Sequence, residues 1–283
     1  MKEKKLLVIA GQPKAGTTSL FHWLSGHPDI CPSKVKETRF FLDPGHPAPR
    51  SLSLHGDGLE AYFEFFECTG RTVLMEASPD YFGSSTPLKL PEMLPNVYAV
   101  IIMRDHFNRL QSAFSYYRER GFLPAQQSFD DWIKRQELLE VTPDTEIGLR
   151  ALDLCRPTHL KKWQASFGNR LLVIDFQDLK NDPQGVLLRV ARHVGIDSGN
   201  LAALDTKVYN ISKKIRSPRI ARVYYPAVTK VSHALGERSL LRSVLRPLGR
   251  LARCMLEKKV SISKPDVSPA SREVIERISK QEG

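Results

Sequence analysis

The chain has 283 residues, 41% of them hydrophobic and 26% charged, the balance of a globular protein with room for one large α/β domain or two small ones. No apolar run reaches the ~18 residues of a membrane-spanning helix, the four cysteines form no C-x-x-C pair and the eight histidines show no H-x-x-x-H spacing, so a membrane span, a zinc site and a metal enzyme are all disfavoured. The net charge of +11 is concentrated in residues 211–260, which hold 13 Lys and Arg against 2 Asp and Glu. Such a segment suits an anionic partner or a solvated helical face.

In chain order, residues 6–11 form a short apolar run that ends in glycine, as a buried parallel strand does. Residues 17–25 read as a helix with Leu20, Phe21 and Leu24 on one face, ended by Gly26 and Pro28. A short strand is expected over 29–33, a loop over 43–58 and a short helix over 59–66. Two β-rich runs, 71–77 and 97–103, each end in polar residues. Helices are expected over 107–120, over 128–140 with Ser128 as N-cap, and over 152–167 with Leu152, Leu160, Trp163 and Phe167 in the core. Residues 171–176 are a strand, and Pro183 starts a helix that runs to Gly195. Past 211 a helix with arginines between its leucines is broken by Pro247.

Strands alternating with helices give an α/β fold of the P-loop type, three layers deep, with a central parallel sheet flanked by helices. One domain is expected over 1–283, with its core in 5–200 and a basic, mostly helical region in 201–283. The N-terminus reads as a first strand and not as a signal peptide, and widely spaced cysteines read as reduced, mostly buried thiols; both imply a cytoplasmic setting. Ligands of such sheets bind beyond the carboxyl ends of the strands, so 11–19, 76–81 and 104–112 should converge.

The loop between the first strand and helix is G-Q-P-K-A-G-T-T-S. Gly11 and Gly16 let a backbone come close to a ligand, the amides of Ala15 to Ser19 open a helix, Thr17, Thr18 and Ser19 add hydroxyls, and Lys14 adds a cation. A plain tight turn would need only the glycines. The lysine precedes the second glycine, unlike the G-x-x-x-x-G-K-[ST] order of nucleotide triphosphatases.

This loop resembles the 5′-phosphosulfate loop of sulfotransferases that use 3′-phosphoadenosine 5′-phosphosulfate (PAPS). "KETRFF" (36–41) is similar to the K-E-x-H-F-F segment of the heparan-sulfate-type enzymes, "EASPDYF" (76–82) to their S-P-x-Y-F segment, and "RDHFNRLQSAFSYY" (104–117) to their 3′-phosphate segment. Residues 160–183 resemble the helix–strand–turn that follows, and the likeness spans 6–197. Three positions depart from the pattern: Arg39 for histidine, His106 for proline and Gln177 for glutamate. The disulfide of the heparan-type enzymes has no counterpart past residue 200.

The resemblance implies a sulfotransferase with PAPS as co-substrate and no required metal. Glu37 would be the general base, its pKa raised by burial beside Phe40 and Phe41, with a surface ion pair to Lys36 or Arg39 as the alternative. Lys14, assisted by Lys36, would stabilise charge on the leaving oxygen. Gly11, Lys14, Ala15, Gly16, Thr17, Thr18 and Ser19 would hold the phosphosulfate, and Arg104 and Ser112, about two helical turns apart, the 3′-phosphate. By spacing alone, Arg104 could equally pair with Asp105. Arg39, Ser78, Asp80 and Tyr81 are candidate acceptor contacts, with an ordinary turn as the alternative for the last three. The acceptor would be a hydroxyl of a glycan or glycolipid, acidic or lipid-linked, with a polyketide or other small alcohol as the alternative and no role for nucleic acid. Residues 211–260 could touch a membrane surface, and the oligomeric state is left open. A nucleotide kinase and a non-enzymatic binder of anionic surfaces are the rival classes.

Overall fold

Apolar residues fill both faces of β1 (Lys5–Gly11), and this sets the architecture. The computed structural model describes residues 4–124, 126–207, 213–215, 257–259 and 265–281. A strand buried on both sides belongs inside a parallel sheet covered on each face. The sheet runs in the order β2 (Ile30–Pro32), β3 (Val73–Glu76), β1, β4 (Val97–Met103), β5 (Leu171–Asp175), all parallel. Leu6 pairs with Leu74 on one side and Val97 on the other.

Alternation along β1 sends its side chains to two cores. Leu6, Val8 and Ala10 meet Phe40, Phe41, Tyr62 and Trp163. Leu7 and Ile9 meet Leu20, Leu24, Val186 and Val190. The helices are α1 (Thr17–Ser25), the short α2 (Leu54–Asp57) and α3 (Leu90–Met93), α4 (His106–Glu119), α5 (Phe129–Glu137), α6 (Pro157–Phe167), α7 (Phe176–Asn181), α8 (Pro183–Val194) and α9 (Pro269–Lys280). A third core joins Leu110, Phe114, Trp132, Ile133, Ile275 and Ile278 of α4, α5 and α9. Asp130 fastens α9 to α5 by accepting from the hydroxyl of Ser268 at 2.9 Å.

Local rules explain the boundaries. Ser128 caps α5 by accepting from the Asp131 amide at 3.0 Å, as expected. The helix expected from residue 152 begins at Pro157 instead, after a 3-10 turn at Asp153–Cys155. Proline disfavours helical backbone before it and suits the first helical position. The loop over 43–58 contains the one-turn α2, capped by Ser53.

The expectation of reduced thiols fails at two of the four cysteines. Cys31 and Cys68 form a disulfide, with Cα atoms 5.8 Å apart. Sequence spacing gave no sign of it, because 37 residues separate partners that only the sheet brings together. Cys155 is free and buried, and Cys254 lies outside the described residues. So does most of the basic segment, including the helix expected beyond 240; its described parts are strands β6 (Lys213–Ile215) and β7 (Glu257–Lys259), paired antiparallel. No helix among the described residues is long and apolar enough to cross a membrane.

Candidate active site

The loop after β1 is built from backbone. Gly16 holds φ at +89°, and a Cβ there would stand 2.6 Å from Leu179 Cδ2 and 3.1 Å from the Phe176 ring. A Cβ on Gly11 would stand 2.7 Å from that of Phe82. Packing demands glycine at both positions, and at Gly16 the conformation does so as well. Gly16 is the N-cap of α1 and supplies no side-chain acceptor; its carbonyl takes the Ser19 and Leu20 amides, and the positive end of the helix lies at this turn. An anion fits such a place. Ala15 is fully buried in the core, Thr17 and Ser19 are nearly so, and Thr18 is half-buried.

Arg104, at the end of β4, closes the loop from the other side. Its Nη1 donates to the Lys14 carbonyl at 2.7 Å, and its guanidinium lies 4.5 Å from the centre of the Phe176 ring. Its Nε is buried and has no hydrogen-bond partner, as a group reserved for a ligand would be. The alternative pairing with Asp105 is not made: Asp105 caps α4, accepting from the Asn108 amide at 2.9 Å. Ser112 is half-buried on α4, four residues before Tyr116 and so on the same helical face. Tyr116 carries two cations. Lys14 Nζ lies 4.2 Å, and the Arg120 guanidinium 4.7 Å, from the ring centre. Burial, followed by the charges of Arg120 and Arg104, lowers the pKa of Lys14 to about 8. The cleft is overcharged and would gain from an anion.

The segment 36–39 brings the second half of the site. Glu37 is gripped at both oxygens: Lys36 Nζ donates to Oε1 at 3.0 Å and Arg39 Nη2 to Oε2 at 2.6 Å. Arg39 Nε also lies 3.3 Å from Asp80 Oδ2. The raised pKa expected for Glu37 is not found. Desolvation pushes it up, but Lys36 and Arg39 outweigh this and hold it at about 2. The Phe40 and Phe41 rings that suggested burial point into the core beneath, while the carboxylate stays 32% exposed among cations.

Under this segment lies a buried carboxyl that sequence reading left without a role. Glu76, fully buried at the end of β3, accepts hydrogen bonds from Thr38 Oγ1 (2.6 Å), Ser78 Oγ (2.7 Å), Tyr62 OH (2.9 Å) and Tyr81 OH (3.0 Å). Three of those hydroxyls also accept from the backbone above: Ser78 from the Arg39 amide at 3.0 Å, Tyr81 from the Phe41 amide at 3.1 Å, and Thr38 from the Phe40 amide at 3.4 Å. Ser78 and Tyr81, read as acceptor contacts, thus sit wholly inside the protein and hold the 38–41 backbone. Asp80 alone of the three faces the cleft, at 22% exposure. The usable signal for Glu76 was an acid closing an apolar run. For Tyr116 and Arg120 it was a tyrosine followed by arginine at helical i,i+4 spacing. Gln12, also missed, is fully buried and donates to the Leu154 carbonyl at 3.1 Å.

Residues 4–217 match the family model described as the sulfotransferase domain, which is three quarters of the chain. The chain belongs to the sulfotransferase family. It is 30% identical over 214 residues to the bifunctional heparan sulfate N-deacetylase/N-sulfotransferase 1 of Mus musculus, a match covering 69% of this chain and 22% of the mouse protein. It is 25% identical over 205 residues to human bifunctional heparan sulfate N-deacetylase/N-sulfotransferase 2, covering 67% of this chain and 22% of that one. The chain thus spans about a fifth of the length of these relatives. The crystal structure of a sulfotransferase from Alicyclobacillus acidocaldarius superposes with a TM-score of 0.58 at 23% identity, over 84% of this chain and 98% of that one, and has the same fold.

The three departures from the sulfotransferase pattern have different settings. Gln177 is exposed on α7, where a change of side chain meets only solvent. His106 opens α4; burial, with Arg109 adding to it, lowers its pKa, so it is neutral near pH 7 and its Nδ1 is buried without a partner. Arg39 stands in the cleft itself, with φ at +55°, directly against Glu37.

Proposed function

We propose that this sulfotransferase moves a sulfuryl group from PAPS to an acceptor hydroxyl. One observation carries the reading: an overcharged anion cradle and an ionised carboxylate, contributed by separate elements, meet in one cleft. The cradle is Lys14, the α1 amides and Arg104, and the carboxylate is Glu37. The α1 amides and Lys14 hold the phosphosulfate, while Arg104 and Ser112 take the 3′-phosphate. The acceptor oxygen bonds to sulfur as the bond from sulfur to the 5′-phosphate oxygen breaks. Its proton goes to Glu37, and 3′-phosphoadenosine 5′-phosphate (PAP) leaves with the bonding pair. Lys14 and Lys36 offset charge on the departing oxygen, which in phosphoryl transfer is work done largely by magnesium. Turnover is accordingly expected to persist in EDTA.

A glycan or glycolipid hydroxyl is the proposed acceptor. Support for a glycan comes from the heparan sulfate relatives, which are N-sulfotransferases and so leave a glycan amine as the second acceptor, and from the cations around Glu37, which suit an acidic chain. The basic segment 211–260 is the proposed second contact for such an acceptor or for an anionic membrane surface. A screen of glycans, amino sugars and small alcohols with labelled PAPS tests this. The proposed cytoplasmic setting loses one support, since cytosolic thiols stay reduced and Cys31 is bonded to Cys68. Mass spectrometry of alkylated protein from its own cells decides it.

The donor is tested by thermal shift. PAP should raise Tm strongly, with AMP and ATP–Mg giving much smaller shifts. An equal response to AMP would remove Arg104 and Ser112 from the 3′-phosphate. A preference for ATP–Mg would turn the reading toward a kinase.

A further inference from the structure

A carboxylate that is to take a proton is poorly served by two cations. Each contact that keeps Glu37 ionised also lowers its basicity, and general-base efficiency follows basicity. The two contacts are not equivalent. Lys36 is the sequence neighbour of Glu37 and lies 3.4 Å from the Ala77 carbonyl, a neutral acceptor. Arg39 stands between two carboxylates: Nη2 is 2.6 Å from Glu37 Oε2, and Nε is 3.3 Å from Asp80 Oδ2. The Nε contact is an ion pair without hydrogen-bond geometry, so that N–H is buried and unpaired while an acceptor stands beside it. The Arg39 backbone is pinned through its amide to Ser78, which in turn is tied to Glu76. The side chain is held more loosely, its Nη1 donating to the Pro49 carbonyl at 3.4 Å.

We propose that Arg39 is an exchangeable latch on the base: it holds Glu37 in the resting protein and transfers to Asp80 when the acceptor hydroxyl enters. In the engaged state, the guanidinium trades a single contact with Glu37 for full hydrogen bonding to Asp80. Glu37 Oε2 becomes free for the acceptor proton and more basic at that moment. Asp80 is then a positioning residue, acting on the reaction through Arg39. The inference rests on the sulfotransferase reading, and it assigns to Arg39 a role that the histidine usual at this position would fill only when protonated.

Genetic interaction tests it. The probe is ³⁵S-labelled PAPS with water as the hydroxyl that enters the acceptor position, release of labelled sulfate as the readout and PAP affinity as the donor-side control. Asp80→Asn removes the second seat, so Arg39 stays on Glu37 and kcat falls by about tenfold or more. Arg39→Gln on that background frees Glu37 and restores kcat to within roughly threefold of wild type, an interaction well beyond additivity. PAP affinity should stay within about twofold in both variants and in Arg39→Gln alone, which closes the cycle. A merely structural Asp80 would not be rescued by removing its own partner. An unaffected Asp80→Asn, or a double variant as slow as the single one, overturns the latch. Wild-type protein that neither binds PAP nor releases sulfate overturns the sulfotransferase reading instead.

Discussion

The proposed donor and acceptor sides of the cleft are made of different material. The donor side is backbone: two glycines, the open end of α1 and a carbonyl held by Arg104. Its geometry is fixed before any ligand arrives. The acceptor side is a row of side-chain charges, Lys36, Glu37, Arg39 and Asp80, resting on the hydroxyls around Glu76. A rigid cradle can be common to many enzymes that use one donor. A charge row can be rewired by one substitution, as Arg39 illustrates. The two sides should therefore fail separately.

The largest effect is expected from Glu37→Gln, which should lower sulfate release by about 10²–10⁴-fold while PAP affinity is kept. Loss of both together would erase the division between the sides. Next is Gly16→Ala, whose Cβ would collide with Leu179 and Phe176 and whose φ disfavours any side chain. PAP affinity should fall by at least about tenfold in titration calorimetry, since the α1 amides lose their alignment.

Smaller effects come from pH. The lowered pKa of Lys14 means that PAP affinity should decline as pH rises past about 8 and the ammonium is lost. Lys14→Arg should flatten that decline. The same shift makes the charged Lys14 unfavourable to the fold: between about 8 and 10.5 the unfolded chain binds more protons, so ligand-free stability should rise with pH there. Lys14→Met should melt higher than wild type at pH 7 without ligand, although it binds no PAP. Glu37 has the opposite sign. Its pKa, held at about 2 against 4.5 for the free group, gives stability that is present above 4.5 and lost as pH falls toward 2. The Tm difference between wild type and Glu37→Gln should shrink over that window. The smallest change is Tyr62→Phe, which removes one of four donors to Glu76 and should cost about 1 kcal/mol in urea unfolding.

The same contrast explains what could be read from the sequence. The strand–loop–helix 6–25 was legible because its constraints are local: an apolar run, two glycines and a helical period. Arg104 was legible because strand ends in parallel sheets meet at one edge. The direction of the Glu37 shift was not, because it depends on where the side chains of Arg39 and Lys36 turn after folding. Phe40 and Phe41 correctly signalled a core, but the turn at Arg39, with φ at +55°, sends both rings beneath Glu37 and not around it. Ser78 and Tyr81 misled for the same reason: a serine and a tyrosine near a strand end look alike whether they face solvent or a buried acid. The Cys31–Cys68 pairing joins distant segments and left no local trace.

That pairing makes residues 31–68 a covalent ring, and the ring contains 36–41 but no part of the donor loop. Cross-linking across 37 residues restricts the unfolded chain by about 4 kcal/mol in the entropy model. Reduction should therefore lower the stability of the fold, and the freed ring carries the segment proposed to meet the acceptor but not the loop proposed to hold the nucleotide.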